Sequence, residues 1–286
     1  MIIHTFLMIL QQTLVFYPVV ISLYISYRVL KITDLSADGV YVLGAATFAR
    51  GLVFGPLWAS VIAAFSGMIA GFVLALMQRR NYVHHLIAGI LMTFMLYSIN
   101  FEFMGRPNLS LIGQPTLLKM NFFSSWLPIL AIVNVGLMLC VRAILSSPIG
   151  LKMRAFGYQP NLLQNFGLHA EKYRMIGLMM GSMCTAISGS LFAQINGFAD
   201  LNMGIGVALV AIGSIMIGQK LIPWQQHRGY NGLVDLIAGF LGIFCYFSLL
   251  AILMRFGVQP VHLKFFIGIA LYLSMRLQGS LKEGRV

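Results

Sequence analysis

Runs of about twenty apolar residues recur along almost the whole chain, parted only by short polar, glycine or proline breaks. That pattern suits one solvent. The hydrocarbon core of a bilayer is about 30 Å thick and takes about 20 helical residues to cross. Within it the chain must satisfy its own backbone N–H and C=O groups, which apolar runs of this length do as helices. Nine spans are predicted, at 5–27, 38–54, 56–77, 83–101, 125–144, 174–195, 202–219, 233–254 and 262–279. Only 9% of the 286 residues are charged and 59% are hydrophobic, whereas a water-soluble domain carries about 25% charge. The expectation is an all-α integral membrane protein, a polytopic bundle of about nine helices (eight to ten) forming one domain over 1–286.

The basic residues predict an orientation. With residue 1 outside, the inner side holds Arg28, Lys31, Arg79, Arg80, Arg142, Lys152, Arg154, Lys172, Arg174, Lys220, Arg228, Arg276, Lys282 and Arg285. The outer side holds only Arg50, Arg106, Lys119, Arg255 and Lys264. Lys and Arg accumulate on the cytoplasmic side of membrane proteins, so the prediction is N-out, C-in with an odd number of spans. The net charge of +12 then reflects basic loops beside anionic lipid, with no nucleic acid partner expected. The first basic residue is Arg28, so the run from Thr5 to Tyr27 lacks the basic start of a cleaved signal and is expected to remain as a helix.

Small residues recur every four positions in two spans. They are Ala63, Gly67, Gly71 and Ala75 in the third, and Gly177, Gly181, Thr185, Gly189, Ala193 and Gly197 in the sixth. Residues four apart share a helix face, and a face without bulk lets two backbones approach closely. Such faces suit either packing within the bundle or contacts that move or join two copies.

Several chemistries lack their residues. The sequence has no Gly-Lys pair, hence no phosphate-cradling G-x-x-x-x-G-K-[ST] loop, and no H-E-x-x-H or G-x-S-x-G. Cys140, Cys184 and Cys245 lie far apart within apolar runs and form no metal-binding or disulfide pattern. The adjacent pair His84-His85 reads as part of a basic helix end. The acids Asp34, Asp38, Glu102, Glu171, Asp200, Asp235 and Glu283 all fall near predicted span ends. Asp38 is expected to cap the second helix. An acidic relay at mid-membrane, the mark of ion-coupled transport, is therefore weakly supported.

The segment 146–173, SSPIGLKMRAFGYQPNLLQNFGLHAEKY, is the longest polar stretch on the inner side. Gly157 is expected to stop one short helix, Pro160 to start another and Gly167 to end it. Leu162, Leu163 and Phe166 are spaced as one apolar face, which headgroups, the protein's own helix ends or a docked partner could cover.

The run from Gly150 through Lys152, Arg154, Gly157, Pro160, Asn161 and Gly167 to Leu168 resembles the coupling loop of ABC-importer permeases of the branched-chain amino acid and ribose type. The run from Asp34 through Asp38 and Gly39 to Gly44 resembles that family's second-helix entry. Leu86–Leu91, Leu96–Asn108 and Gly197–Gly206 resemble a branch that includes tryptophan/tyrosine-type permeases. The likeness extends over roughly 5–275.

What the resemblance implies is a type II-like importer permease in a bacterial inner membrane. Its partners would be a second permease copy, an extracytoplasmic substrate-binding protein and a cytoplasmic ATPase dimer that carries the ATP and magnesium, with no cofactor bound by this chain. It nominates Gly150, Arg154, Ala155, Gly157, Pro160, Asn161, Leu162, Leu163, Phe166 and Gly167 for coupling to the ATPase. For the pathway or its gate it nominates Asp38, Asn100, Glu102, Asp200, Asn202 and Met203. An ion-coupled secondary transporter is the alternative, and a membrane enzyme a more distant one.

Overall fold

A computed structural model describes residues 2–79, 83–114, 126–222 and 232–257, with the single positions 116 and 268. Helix α1 (Ile2–Leu23) continues into a π-helical turn at Tyr24–Val29. Then follow α2 (Ala37–Gly51), α3 (Pro56–Met77), α4 (His85–Met104), strand β1 (Asn108–Ser110), α5 (Trp126–Ser146), α6 (Pro148–Tyr158) and α7 (Pro160–Asn165). The described order closes with α8 (Ala170–Asn196), strand β2 (Phe198–Asp200), α9 (Val207–Leu221) and α10 (Gly232–Arg255). Among the described residues, seven helices are long and apolar enough to cross a membrane, and α9 is apolar but shorter. The first eight predicted spans each meet a helix, while the ninth, 262–279, lies outside the described residues apart from position 268.

Two boundaries differ from expectation. The seventh span was predicted from residue 202, but its helix starts at Val207, because residues 201–206 form turns that end at Gly206 in the left-handed region (φ 86°). The sixth span starts at Ala170 rather than 174, drawing Lys172 and Arg174 into the helix. Arg174 is 1% exposed there, and its guanidinium pairs with Glu171 one turn earlier.

The second and third spans double back on each other. Gly55 takes φ 96° and Pro56 starts α3, where its missing N–H and fixed φ suit the first helical position. The Thr47 and Ser66 hydroxyls meet at 3.1 Å, so α2 and α3 are antiparallel neighbours and not one broken helix.

Helix α8 is the centre of the bundle, packed against α1, α2, α3 and α6. The two small-residue stripes meet each other: Gly67 and Gly71 of α3 lie on the α8 backbone at Ser182 and at Leu178–Met179. Elsewhere on α8, Gly189 sits against the Tyr41 carbonyl of α2, Gly181 against Ser22 of α1, and Gly177 against Leu30 and Met153. These faces are filled from within the same chain, which leaves them no room to be contacts with a second copy.

Space at glycine is the testable consequence. A Cβ at Gly189 would overlap the Tyr41 carbonyl oxygen, whereas one at Gly136 of α5 would meet nothing. Gly189→Leu is expected to destabilise the bundle by about 1–3 kcal/mol or more. The thermal midpoint of the detergent-purified protein should fall clearly below wild type, and that of Gly136→Ala should match or exceed it.

Candidate functional site

Two places gather the nominated residues. The first is the α6–α7 elbow. Pro148 opens α6 behind Ser147, whose carbonyl takes the first helical hydrogen bond. Gly150 lets the start of α6 lie against the backbone of Leu145 at the end of α5. Met153 and Phe156 turn inward into the main core, Ala155 packs beside them, and Arg154 is half-buried.

Gly157 does not end α6. The helix runs one residue further, and the extended backbone of Gln159 (φ −156°) stops it. Gly157 is small because it rests on the Val29 carbonyl at the end of the π-helical turn, where a Cβ would overlap the oxygen. Beside this contact Lys31 places its ammonium 3.6 Å from the centre of the Tyr158 ring. Such a cation–π contact contributes about 0.5–1 kcal/mol at an exposed position. The elbow is thus seated directly on α1 and α8.

Pro160 begins α7, and Asn161 and Leu162 lie on it. Gly167 turns the chain at φ 69° as expected. Leu163 and Phe166 do not share the predicted apolar face, because α7 ends at Asn165 and helical spacing no longer governs Phe166. Leu163 is 3% exposed and belongs to the core, while Phe166 is 74% exposed. Phe166 and the 80%-exposed Tyr158 are left as outward aromatic side chains of the elbow.

The second place is the start of α9. Asp38 is the second residue of α2, behind Ser36 as the capping position, and its side chain makes no bond to its own helix. Its carboxylate instead accepts hydrogen bonds from the N–H groups of Gly206 (3.0 Å) and Ala208 (2.8 Å). The expected cap is a real one, but it belongs to another helix. Gly204 meets the Asp38 carbonyl just before it, a contact too close for any side chain.

The level of this contact along the bundle follows from helix register. Gly242 of α10 lies on Ser214 of α9, and Ala238 on Gly218, so the helices are antiparallel. At 1.5 Å per residue, Val207 falls about 9 Å short of the α10 end. Unpaired N–H groups at a helix N-terminus are costly wherever lipid or packed helices keep water away. A carboxylate in a bilayer costs on the order of 3 kcal/mol, and each charge-assisted hydrogen bond returns about 1.5–3 kcal/mol. Charge and helix end therefore stabilise each other, aided by the helix dipole.

Asn100 joins this place. It is buried and donates from Nδ2 to the Gly39 carbonyl at 3.1 Å. Met203 packs between the two larger core clusters. Asp200 and Asn202 sit higher, where β1 and β2 pair antiparallel with Asn108 opposite Asp200. The Asp200 carboxylate accepts from Asn108 Nδ2 (3.0 Å) and Asn202 N–H (2.7 Å). Glu102 is exposed on the last turn of α4 and is not brought to the Asp38 contact. Sequence reasoning missed the Gly204–Ala208 turn as the partner of Asp38. Its signal was present, since residues 203–207, where the apolar run begins, hold no Ser, Thr, Asn or Asp to cap it.

Residues 5–275 match the family described as the branched-chain amino acid transport system permease component. An uncharacterized protein of Rickettsia prowazekii (strain Madrid E) is 46% identical over 93% of this chain and 95% of its own length. A protein named tyrosine transport system permease protein, from Clostridioides difficile (strain R20291), is 31% identical over 92% of this chain and 88% of its own. No solved structure matches at a significant level.

Asp38→Ala removes both acceptors from the start of α9 and is expected to cost about 1–2 kcal/mol, the range of a lost helix cap. Amide hydrogen exchange read by mass spectrometry should rise at 204–210 and stay unchanged in α8. Unchanged exchange at 204–210 would mean that the carboxylate does not hold the turn.

Proposed function

The chain belongs to the branched-chain amino acid transport system permease component family, and from that premise we propose that it forms the membrane pathway of an ATP-powered amino acid importer. The match over residues 5–275 carries this reading. An aromatic amino acid is the proposed solute class, supported by the likeness to a protein named for tyrosine transport. The family is one of transporter permeases and not of enzymes. In the proposed assembly ATP is hydrolysed by a separate cytoplasmic subunit, a binding protein delivers the solute at the opposite face, and two permease copies line the pathway in the bacterial inner membrane.

The proposed coupling runs through the α6–α7 elbow. The ATPase grips the exposed Phe166 and Tyr158 side chains, with Arg154 on the same elbow. Force applied there passes through the Gly157–Val29 seat into α1 and through Met153 into α8. Rigid helices packed without voids shift between discrete arrangements and do not flex smoothly. The Asp38 contact lets the start of α9 move with α2. Asp38, Asn100 and Met203 are proposed at the gate, with Asp200 and Asn202 at the outer mouth. Glu102, away from this cluster, is left at the outer rim.

Affinity purification of the tagged chain from its native membrane, in mild detergent, should bring down an ATPase. Phe166→Asp is expected to lower that recovery and the ATP-driven uptake at least tenfold while leaving the amount of inserted protein unchanged. Leu163→Asp, which buries a charge in the core, should instead reduce inserted protein itself. Full recovery of ATPase and full uptake with Phe166→Asp would remove Phe166 from the mechanism.

A further inference from the structure

A cavity of about 760 Å³ opens between the last turn of α3, the turn after α7 and the first turn of α8. Its lining divides by chemistry. Ala75, Leu76 and Met175 face it from the ends of two membrane-spanning helices, joined by Leu168. Arg79 and Lys172, both exposed, face it from just beyond, with His169 near them. The one acid among the described lining residues, Glu171, is engaged with the buried Arg174. The Arg174 guanidinium thus balances its charge. Neither Arg79 nor Lys172 makes an ion pair with a described residue. Leu76 is 44% exposed on the outer surface of α3, so the apolar side of the cavity is open sideways to the bilayer.

From this arrangement we propose that the cavity binds an anionic phospholipid, with its phosphate between Arg79 and Lys172 and its first acyl carbons along Leu76 and Met175. An apolar wall at the end of a membrane span, followed at once by two cations, matches the order of chemistry along a lipid from chain to headgroup. Basic pockets between helices at this level attract acidic headgroups, and each Lys or Arg near the surface strengthens the attraction several-fold. The α8 N-terminus adds the positive end of its dipole and has no side-chain cap of its own. A lipid seated here would also touch Gly167 and Leu168, and so brace the turn that follows α7. The site depends on the chain crossing the bilayer but not on the ATPase, so it can fail while the coupling reading stands.

The test is lipid retention by the full chain, extracted in mild detergent and read by native mass spectrometry. After delipidation and titration, phosphatidylglycerol should be retained in preference to phosphatidylcholine. The double variant R79Q/K172Q should weaken phosphatidylglycerol retention about tenfold or more. R79K/K172R, which keeps both charges, should restore it, and millimolar inorganic phosphate should not displace the lipid. Equal retention of the two lipids would overturn the proposal, as would retention unaffected by R79Q/K172Q. Displacement by inorganic phosphate would make this a free-phosphate site. A double variant that keeps its lipid but loses the co-purifying ATPase would make the surface a protein contact instead.

Discussion

The structure depends on how closely other backbones approach α8. In a bilayer, helices gain nothing by hiding apolar surface from one another, because lipid chains are as apolar as leucine. What remains is van der Waals contact, and it is greatest where side chains are smallest. On α8 the glycines and alanines at four-residue spacing let α1, α2 and α3 settle onto one helix. Large residues then point outward, as Leu57, Trp58, Val61 and Phe65 do on α3, toward lipid. Along the α3–α8 contact small residues thus face inward and bulky ones outward, while large side chains such as Tyr17, Tyr41 and Phe48 fill the core elsewhere.

That close contact also determines what a force at one face can do. The α6–α7 elbow is rigid where it meets the bundle, through Gly157 on the Val29 carbonyl and Met153 beside Gly177. It meets α1 at a π-helical turn, a local irregularity that often marks functional positions in helices. Within that turn Tyr24 donates to the Asp235 carboxylate of α10 at 2.9 Å. The elbow, α1 and α10 are thus linked by direct contacts, and α10 lies on α9, whose start is held by Asp38. An ion-coupled relay is a poorer use of the same residues, since the Asp38 carboxylate is committed to two backbone amides.

Much of this was legible in the residues, and the reasons for the rest are physical. Span positions could be read because lipid admits only long apolar helices. The stripes of α3 and α8 could be read as close-packing faces, though not that they would face each other. Pro160 and Gly167 act as proline and glycine do at helix ends, while Gly157 does not, because its smallness serves a contact with residue 29, far away in sequence. Leu163 and Phe166 were separated by the end of α7 between them, which spacing alone does not reveal. Asp38 was recognised as a cap but assigned to the wrong helix, since a carboxylate within a bundle can reach backbone from a distant segment. The start of α9 was misplaced for the same reason: glycines that break a helix inside the membrane look like part of an apolar run.

The proposed function makes this chain a gate that draws its energy from another subunit. Reconstitution in sealed vesicles tests it most directly, with radiolabelled tyrosine outside and accumulation as the readout. The chain by itself should accumulate nothing against a gradient, with or without an ion gradient, and accumulation should appear when its ATPase, ATP and binding protein are added. Accumulation by the chain alone would contradict the account.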